Sequence, residues 1–442
     1  MAVPTSTVSE PPLLNPARLG PIVSGLRSGV IDLVDHVEGV CDLVETVDPR
    51  IHSLIPEPDC RARLREEACG LPATFADPAS RPPLFGALVG VKDIFHVDKF
   101  PTRAGSALPP ELFAGAEAAV VRSLRQAGAI VLGKTVTTEF AFFAPGPTRN
   151  PHDLTRTPGG SSSGSAAAVA AGFCPVALGT QTIGSVIRPA AYCGVVGFKP
   201  SFGRVSTAGV VPFSVSADTV GFFTHDVEGM ALLASVAVPC WRDASPRTAP
   251  PVIGIPAGAY MDQASSEGLE RFWLQVERIR RAGLSVRETP LLRDITAVNA
   301  RHRLMVAAEF AQVHHDWFAR YGGLYAPVTR DLILEGQQVS ATELELARVG
   351  RASLRAEIHD TMDRSGIDLW LSPSAQGEAP EGLESTGSPI MNFPWTHAGL
   401  PSVSLPAGRS RSGLPLGLQL VARFGVDEQL LTWARALEEN LS

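Results

Sequence analysis

The sequence predicts an α/β fold: one large mixed β-sheet flanked by helices on both faces, preceded by a helical N-terminal arm. Three observations carry this. Short apolar runs alternate with amphipathic helical patterns from about residue 86 onward, the arrangement expected of βα units. Several of the runs, GALVGVKDIF and LPLGLQLVA among them, are apolar throughout, as strands covered on both faces must be. Hydrophobic residues make up 45% of the 442 and charged ones 19%, with 41 Gly and 37 Pro dispersed along the chain. That composition describes a globular protein rich in turns. Length alone allows about three domains. The unbroken alternation favours a single α/β domain over 71–442, with residues 1–70 as an arm packed on it and a helical insertion at about 294–363.

Residues 15–70 mix helical patterns, VIDLVDHVEGVCDLVETV and DCRARLREEACG, with the turn-like DPRIHSLIPEP between them. Gly86 to Phe95 is a near-continuous apolar run that reads as a buried strand with Lys92 in its last third. A lysine there is either paired with Asp93 or reaching solvent, or it is desolvated and able to accept a proton as a neutral amine. Gly115 to Ala127 is an amphipathic helix, followed by the strand AIVLG and the Phe-rich TTEFAFFAPG. Gly128 to Thr135 satisfies the P-loop pattern, but the residues between its glycines are themselves the strand, so nucleotide binding is not expected.

Gly159 to Pro200 carries the densest chemistry. A Gly/Ser turn opens an Ala-rich helix, the apolar PVALGT follows, and a second turn holds Gly184 and Ser185. Glycines beside a serine let backbone N–H groups converge on a developing oxyanion. The first turn also fits a G-x-S-x-G elbow with Ser162 as nucleophile, completed in chain order by Asp368 and His397. No strand leads into that turn and no HGG-type segment precedes it. Beyond Pro200, Gly203 to Gly221 reads as loop, DVEGMALLASVA as helix, and Val252 to Ile255 and Leu284 to Val286 as short strands around the helix EGLERFWLQVERIRRAG. The insertion holds His302, His314 and His315 without catalytic spacing; the adjacent histidines of HHD at 314–316 lack metal-ligand spacing and are expected to face solvent. IDLWLSPS, PSVSLPAG and LPLGLQLVA supply late strands, and EQLLTWARALEE a terminal helix.

A formal charge of −7 and the absence of a basic block exclude an electrostatic footprint for nucleic acid or anionic membrane. The cysteines show no CxxC or Cys/His spacing and read as reduced core thiols. The N-terminus lacks a signal-peptide pattern and no long apolar run occurs, so a cytoplasmic location is expected. Lysine is scarce: Lys92, Lys99, Lys134 and Lys199 stand beside 34 arginines. Each lysine therefore invites a specific explanation.

With Lys92, Ser161 and Ser185 identified, the chain resembles the amidase signature family of serine hydrolases over nearly its whole length. GALVGVKDIF resembles that family's lysine strand, TPGGSSSGSAAAVAAG and GTQTIGSVIRPAAYCGVVGFKPS its signature block, and GLPLGLQLVA with the terminal helix its C-terminal segment. The resemblance implies a cofactor-free, metal-free hydrolase of C–N bonds. Ser185 would be the nucleophile, Ser161, on a cis peptide, the proton relay, and Lys92 the neutral base. Backbone amides around Thr182, Ile183, Gly184 and Ser185 would form the oxyanion hole. Two positions depart from the family pattern: Ile183 replaces the first of two glycines before the nucleophile, and Gln181 stands where many members carry aspartate. Arg188 matches a substrate-carboxylate-binding arginine of some members, or else pins its loop to the sheet. Phe140, Phe142, Phe143 and Trp395 are expected at an apolar mouth, with Phe143 and Trp395 touching substrate. The expected substrate is a small-molecule amide or carbamate, including urethanase- or allophanate-like chemistry; no nucleic-acid or membrane partner is expected, and a homodimer is left open. The family also contains the A component of a tRNA-dependent amidotransferase, which is the alternative role.

Overall fold

The computed structural model describes residues 11–242, 244 and 250–441. Ten strands form one sheet: β1 (Leu88–Lys92), β2 (Ile130–Thr135), β3 (Val176–Gln181), β4 (Val196–Lys199), β5 (Thr219–Thr224), β6 (Ile253–Ala257), β7 (Val286–Pro290), β8 (Leu369–Pro373), β9 (Ser402–Arg409) and β10 (Pro415–Ala422). Their spatial order is β2-β1-β3-β5-β4-β9-β10-β8-β6-β7. Strand β1 runs parallel to β2 and β3, the centre is antiparallel from β3 through β8, and β6 is parallel to both β7 and β8. The sheet is therefore mixed, as expected of the fold class, with the parallel pairs that βα alternation favours lying toward its two ends.

Helices α1 (Leu19–Ser28), α2 (Leu33–Ile51) and α3 (Cys60–Thr74) make up the N-terminal region. The carboxylate of Asp32 starts α2 by accepting from the amides of Val34 and Asp35, which satisfies two of the donors that a helix start leaves open. Leu33, Val37, Cys41, Val47 and Ile51 face inward and join Phe85, Leu88, Ile130 and the alanines of α5 (Ser163–Ala170) in one apolar cluster. Helix α4 (Ala119–Gln126) lies between β1 and β2 in sequence, α6 (Ile187–Cys193) follows β3, and α7 (Val227–Ala237) follows β5. Helix α8 (Ser266–Arg281) joins β6 to β7. Between β7 and β8, where an insertion is expected, lie α9 (Ile295–Val313), α10 (His315–Tyr321), α11 (Pro327–Gln337) and α12 (Ala341–Ser365), the last opened by a capping box of Ser340 and Glu343. Helices α13 (Phe393–His397) and α14 (Asp427–Leu441) complete the chain.

Strand β4, and the start of β5 within a span read as loop, were not expected. Gly197 and Gly221 are packing positions. A Cβ at Gly197 would lie 2.6 Å from the Cβ of Ala190, and one at Gly221 would lie 2.7 Å from Val186. The missing side chains let α6 settle directly on the sheet, and that contact fixes the turn before α6. The cysteines are free, as expected, but Cys69 and Cys240 are exposed and Cys60 is half-buried, so only Cys41, Cys174 and Cys193 are core thiols.

Gly164 shows how tightly α5 sits. A Cβ there would collide with backbone atoms of Ser53 and Val136, which cannot rotate aside. Alanine gains about 1 kcal/mol over glycine in a helix, whereas overpacking a rigid core costs about 1–3 kcal/mol. Gly164→Ala should therefore lower stability in denaturant melts. Gly70→Ala in α3, with nothing within 4 Å of the added carbon, should raise it. The same sign for both would contradict this packing.

Candidate active site

Lys92 ends β1 fully buried, and its Nζ lies 2.8 Å from Ser161 Oγ and 2.9 Å from Thr180 Oγ1. No carboxylate is within ion-pair distance of it among the described residues. Burial pushes the amine well below the ordinary lysine range, opposed only by the more distant charge of Asp218. Lys134, on the neighbouring strand, supplies the contrast: its Nζ is 2.8 Å from the Asp93 carboxylate and also donates to the Phe95 carbonyl. Asp93 therefore neutralises Lys134 and leaves Lys92 with hydroxyl partners alone. Since Lys134 lies within β2 and in that ion pair, the P-loop pattern around it forms no phosphate cradle.

The Gly160–Ser161 peptide is cis. The Ser161 carbonyl accepts from the Thr138 amide, and Arg188 Nη2 donates to the Gly160 carbonyl at 2.7 Å. Arg188 belongs to α6, so the two serine-bearing turns are held against each other by its side chain. Ser185 sits at the start of that helix, 7% exposed.

The turn from Gln181 to Ser185 is fixed from behind. Gln181 Oε1 accepts from the amides of Val186 and Ile187, while its Nε2 donates to Thr396 Oγ1. The glutamine thus takes the acceptor role an aspartate would have and adds a donor. Thr396 in turn donates to the Ile183 carbonyl at 2.8 Å. Asp218 accepts from Thr182 Oγ1 and from the amides of Phe213 and Ser214, and burial raises its carboxyl to about 6. Gly184 must be glycine, since a Cβ would lie 2.8 Å from Pro389 and closer still to Asn392 Oδ1. Among the described residues, the amides of Ile183, Gly184 and Ser185 donate to no protein acceptor. Three consecutive free N–H groups beside a serine can hold an oxyanion.

Comparison with known proteins gives the family. The family model described as Amidase matches residues 35–431. The chain belongs to the amidase family. Relatives include the A components of glutamyl-tRNA(Gln) amidotransferases from Chlamydia felis, 30% identical with 90% of each chain covered, and from Anaeromyxobacter dehalogenans, 32% identical with 95% of each covered. Among solved structures, one described as an amidase superposes with TM-score 0.86 at 30% identity, covering 96% of this chain and 100% of the other. A peptide amidase from Stenotrophomonas maltophilia superposes with TM-score 0.81 at 26% identity, covering 96% of each. A structure described as a vestigial protein complex that reveals the origins of an s-triazine catabolic enzyme gives TM-score 0.84 at 28% identity, covering 96% and 98%.

Within this amidase framework several expected roles change. Trp395 is fully buried and its indole N–H donates to Tyr260 Oη at 2.8 Å, so it packs in the core and cannot touch substrate at a mouth. A buried indole needs an acceptor, and Tyr260 provides one. Phe140 is enclosed by Phe113, Phe310, His314, Trp317 and Tyr325, and Phe142 packs on Phe213 and Phe310. Of the three phenylalanines, only Phe143 is partly open, with the Arg188 guanidinium 5.7 Å from its ring. Of the HHD histidines expected to face solvent, His314 is buried and only His315 is exposed; His302 is buried as well. The elbow alternative is not assembled: Ser162 Oγ pairs with the backbone of Thr180, the Asp368 carboxylate accepts from the Val252 amide, and His397 faces His302. No helix among the described residues is long and apolar enough to cross a membrane.

Arg188 uses Nη1 on the Gly387 carbonyl and Nη2 on Gly160 and Thr386, leaving only Nε unpartnered. A guanidinium committed to two carbonyls holds loops together. Arg188→Lys should accordingly lower kcat about tenfold or more for neutral and acidic substrates alike, since a lysine cannot span the same acceptors. A selective rise in KM for acidic substrates would instead assign it to substrate binding.

Proposed function

We propose that this protein is an amidase that hydrolyses the C–N bond of a small-molecule amide through a seryl acyl-enzyme, with Lys92, Ser161 and Ser185 as its catalytic residues. The observation that carries the proposal is the buried amine of Lys92 within hydrogen-bond distance of Ser161 and, among the described residues, without a carboxylate partner. A neutral lysine has a lone pair for the Ser161 proton. Ser185 Oγ attacks the amide carbonyl while its proton passes to Ser161 and the Ser161 proton passes to Lys92. The tetrahedral oxyanion forms against the free amides of Ile183, Gly184 and Ser185, with Thr182 framing the turn. The proton then returns through Ser161 to the leaving nitrogen, the C–N bond breaks, and water hydrolyses the ester left on Ser185. With Arg188 committed to its carbonyls and Phe143 the open ring, neutral amides, carbamates and ureas fit better than acids, including urethanase-type substrates.

The curated relatives favour a second reading, in which the chain is the A component of a tRNA-dependent amidotransferase. The two readings separate on the purified protein. A stand-alone amidase turns over members of a panel of amides, aryl esters, carbamates and ureas without a partner. An amidotransferase component hydrolyses glutamine and co-purifies with the other components of its complex.

Ser185→Ala should abolish turnover and labelling by an activated fluorophosphonate, and Ser161→Ala and Lys92→Ala should lose most activity, whereas Ser162→Ala should retain far more. Protonated Lys92 cannot accept a proton, so kcat/KM should fall as pH drops and rise through an apparent pKa below the ~10.4 of free lysine. Mass-spectrometric recovery of label on the Ser162 peptide would overturn the assignment.

A further inference from the structure

Two hydrogen-bond chains converge on the oxyanion turn from the side opposite its free amides. Thr396 donates to the Ile183 carbonyl. His302, from α9 of the insertion, places Nε2 at 3.0 Å from the Thr182 carbonyl and Nδ1 at 3.2 Å from Nδ1 of His397. A carbonyl only accepts, so His302 Nε2 carries the proton and its Nδ1 accepts from His397 Nδ1–H. His397 Nε2 is then a bare acceptor, buried without a partner among the described residues. Burial lowers His302 to about 4 and His397 to about 2, which keeps both rings neutral and this tautomer pair in place. Thr396 and His397 are consecutive residues of α13, and Arg351 of α12 donates to the His397 carbonyl.

In a planar trans peptide the carbonyl and the following N–H point in opposite directions. A donor that draws the Thr182 carbonyl back therefore aims the Ile183 N–H forward, and the same holds for the Ile183 carbonyl and the Gly184 N–H. We propose that His302, oriented by His397, and Thr396 are positioning residues that aim the amides of Ile183 and Gly184 at the oxyanion. This also accounts for the absence of a glycine at 183: a peptide clamped on both sides needs no backbone freedom there. The inference rests on the proposed acyl-enzyme mechanism and ties the helical insertion to the chemical step.

The test compares His302→Leu and Thr396→Val, which lose the donor, with His302→Gln and Thr396→Ser, which keep an N–H or O–H near the same place. For an amide substrate found in the panel, His302→Leu and Thr396→Val should lower kcat about 10- to 100-fold with KM within about twofold, because a misaimed donor forfeits part of what its removal would cost. His302→Gln and Thr396→Ser should recover most of the loss. Equal impairment of the donor-keeping and donor-lacking variants, or losses carried by KM or by a lower Tm, would overturn the proposal. The threonine pair gives the same reading if His302→Leu does not fold. Ser185→Ala is run alongside: activity surviving it sinks the acyl-enzyme mechanism itself, whereas a dead Ser185→Ala beside an unimpaired His302→Leu and Thr396→Val sinks only the positioning role.

Discussion

The proposed chemistry rests on two buried lysines on neighbouring strands that are given different partners. Burying an ammonium without a counter-charge is strongly unfavourable, so a buried lysine either finds a carboxylate or sheds its proton. Lys134 has Asp93. Lys92 has two hydroxyls, which carry no counter-charge, so burial favours its neutral form. The register of β1 and β2, with Val91 opposite Lys134 and Lys92 opposite Thr135, keeps the two side chains in separate environments although their strands are paired. Were Asp93 to reach Lys92, the site would hold a charged amine and no base.

The remaining architecture holds the turn that touches that amine against a second one. Helix α6 lies on glycines of β4 and β5, which places the turn before it against the sheet. Gln181 fastens the turn to the first amides of α6, and Arg188 reaches from α6 to the carbonyl of Gly160. The amides that stay unpaired are those a substrate oxyanion can use. The carbonyls of Thr182 and Ile183 behind them are held by side chains, a division of labour that preorganised electrostatic catalysis requires.

Much of this was legible in the sequence because the chemistry is local. The strand ending in Lys92 and the two Gly/Ser turns are contiguous patterns whose residue types already limit what they can do. Roles that depend on distant contacts were not legible. Gln181 was a departure from a family pattern until Thr396, from the far end of the chain, showed what its second group binds. Trp395 looked like a mouth residue because its segment is loop-like and apolar, and only Tyr260 reveals that the ring points inward. The insertion histidines did carry a signal: His302 and Glu309 share the buried face of α9 with Val298, Met305 and Phe310. A polar residue at helical spacing among apolar ones is a buried polar residue, and buried polar residues have partners.

The most direct measurement is the titration of Lys92 itself. With lysine at only four positions, a protein labelled with 13C at lysine Cε gives few resonances, and the one absent from Lys92→Met identifies the residue. The account predicts that the Lys92 resonance has the chemical shift of a neutral amine at neutral pH and titrates far below the ~10.4 of a free lysine. A Lys92 resonance that stays in the ammonium range up to that pH would contradict it and leave the proposed site without its base.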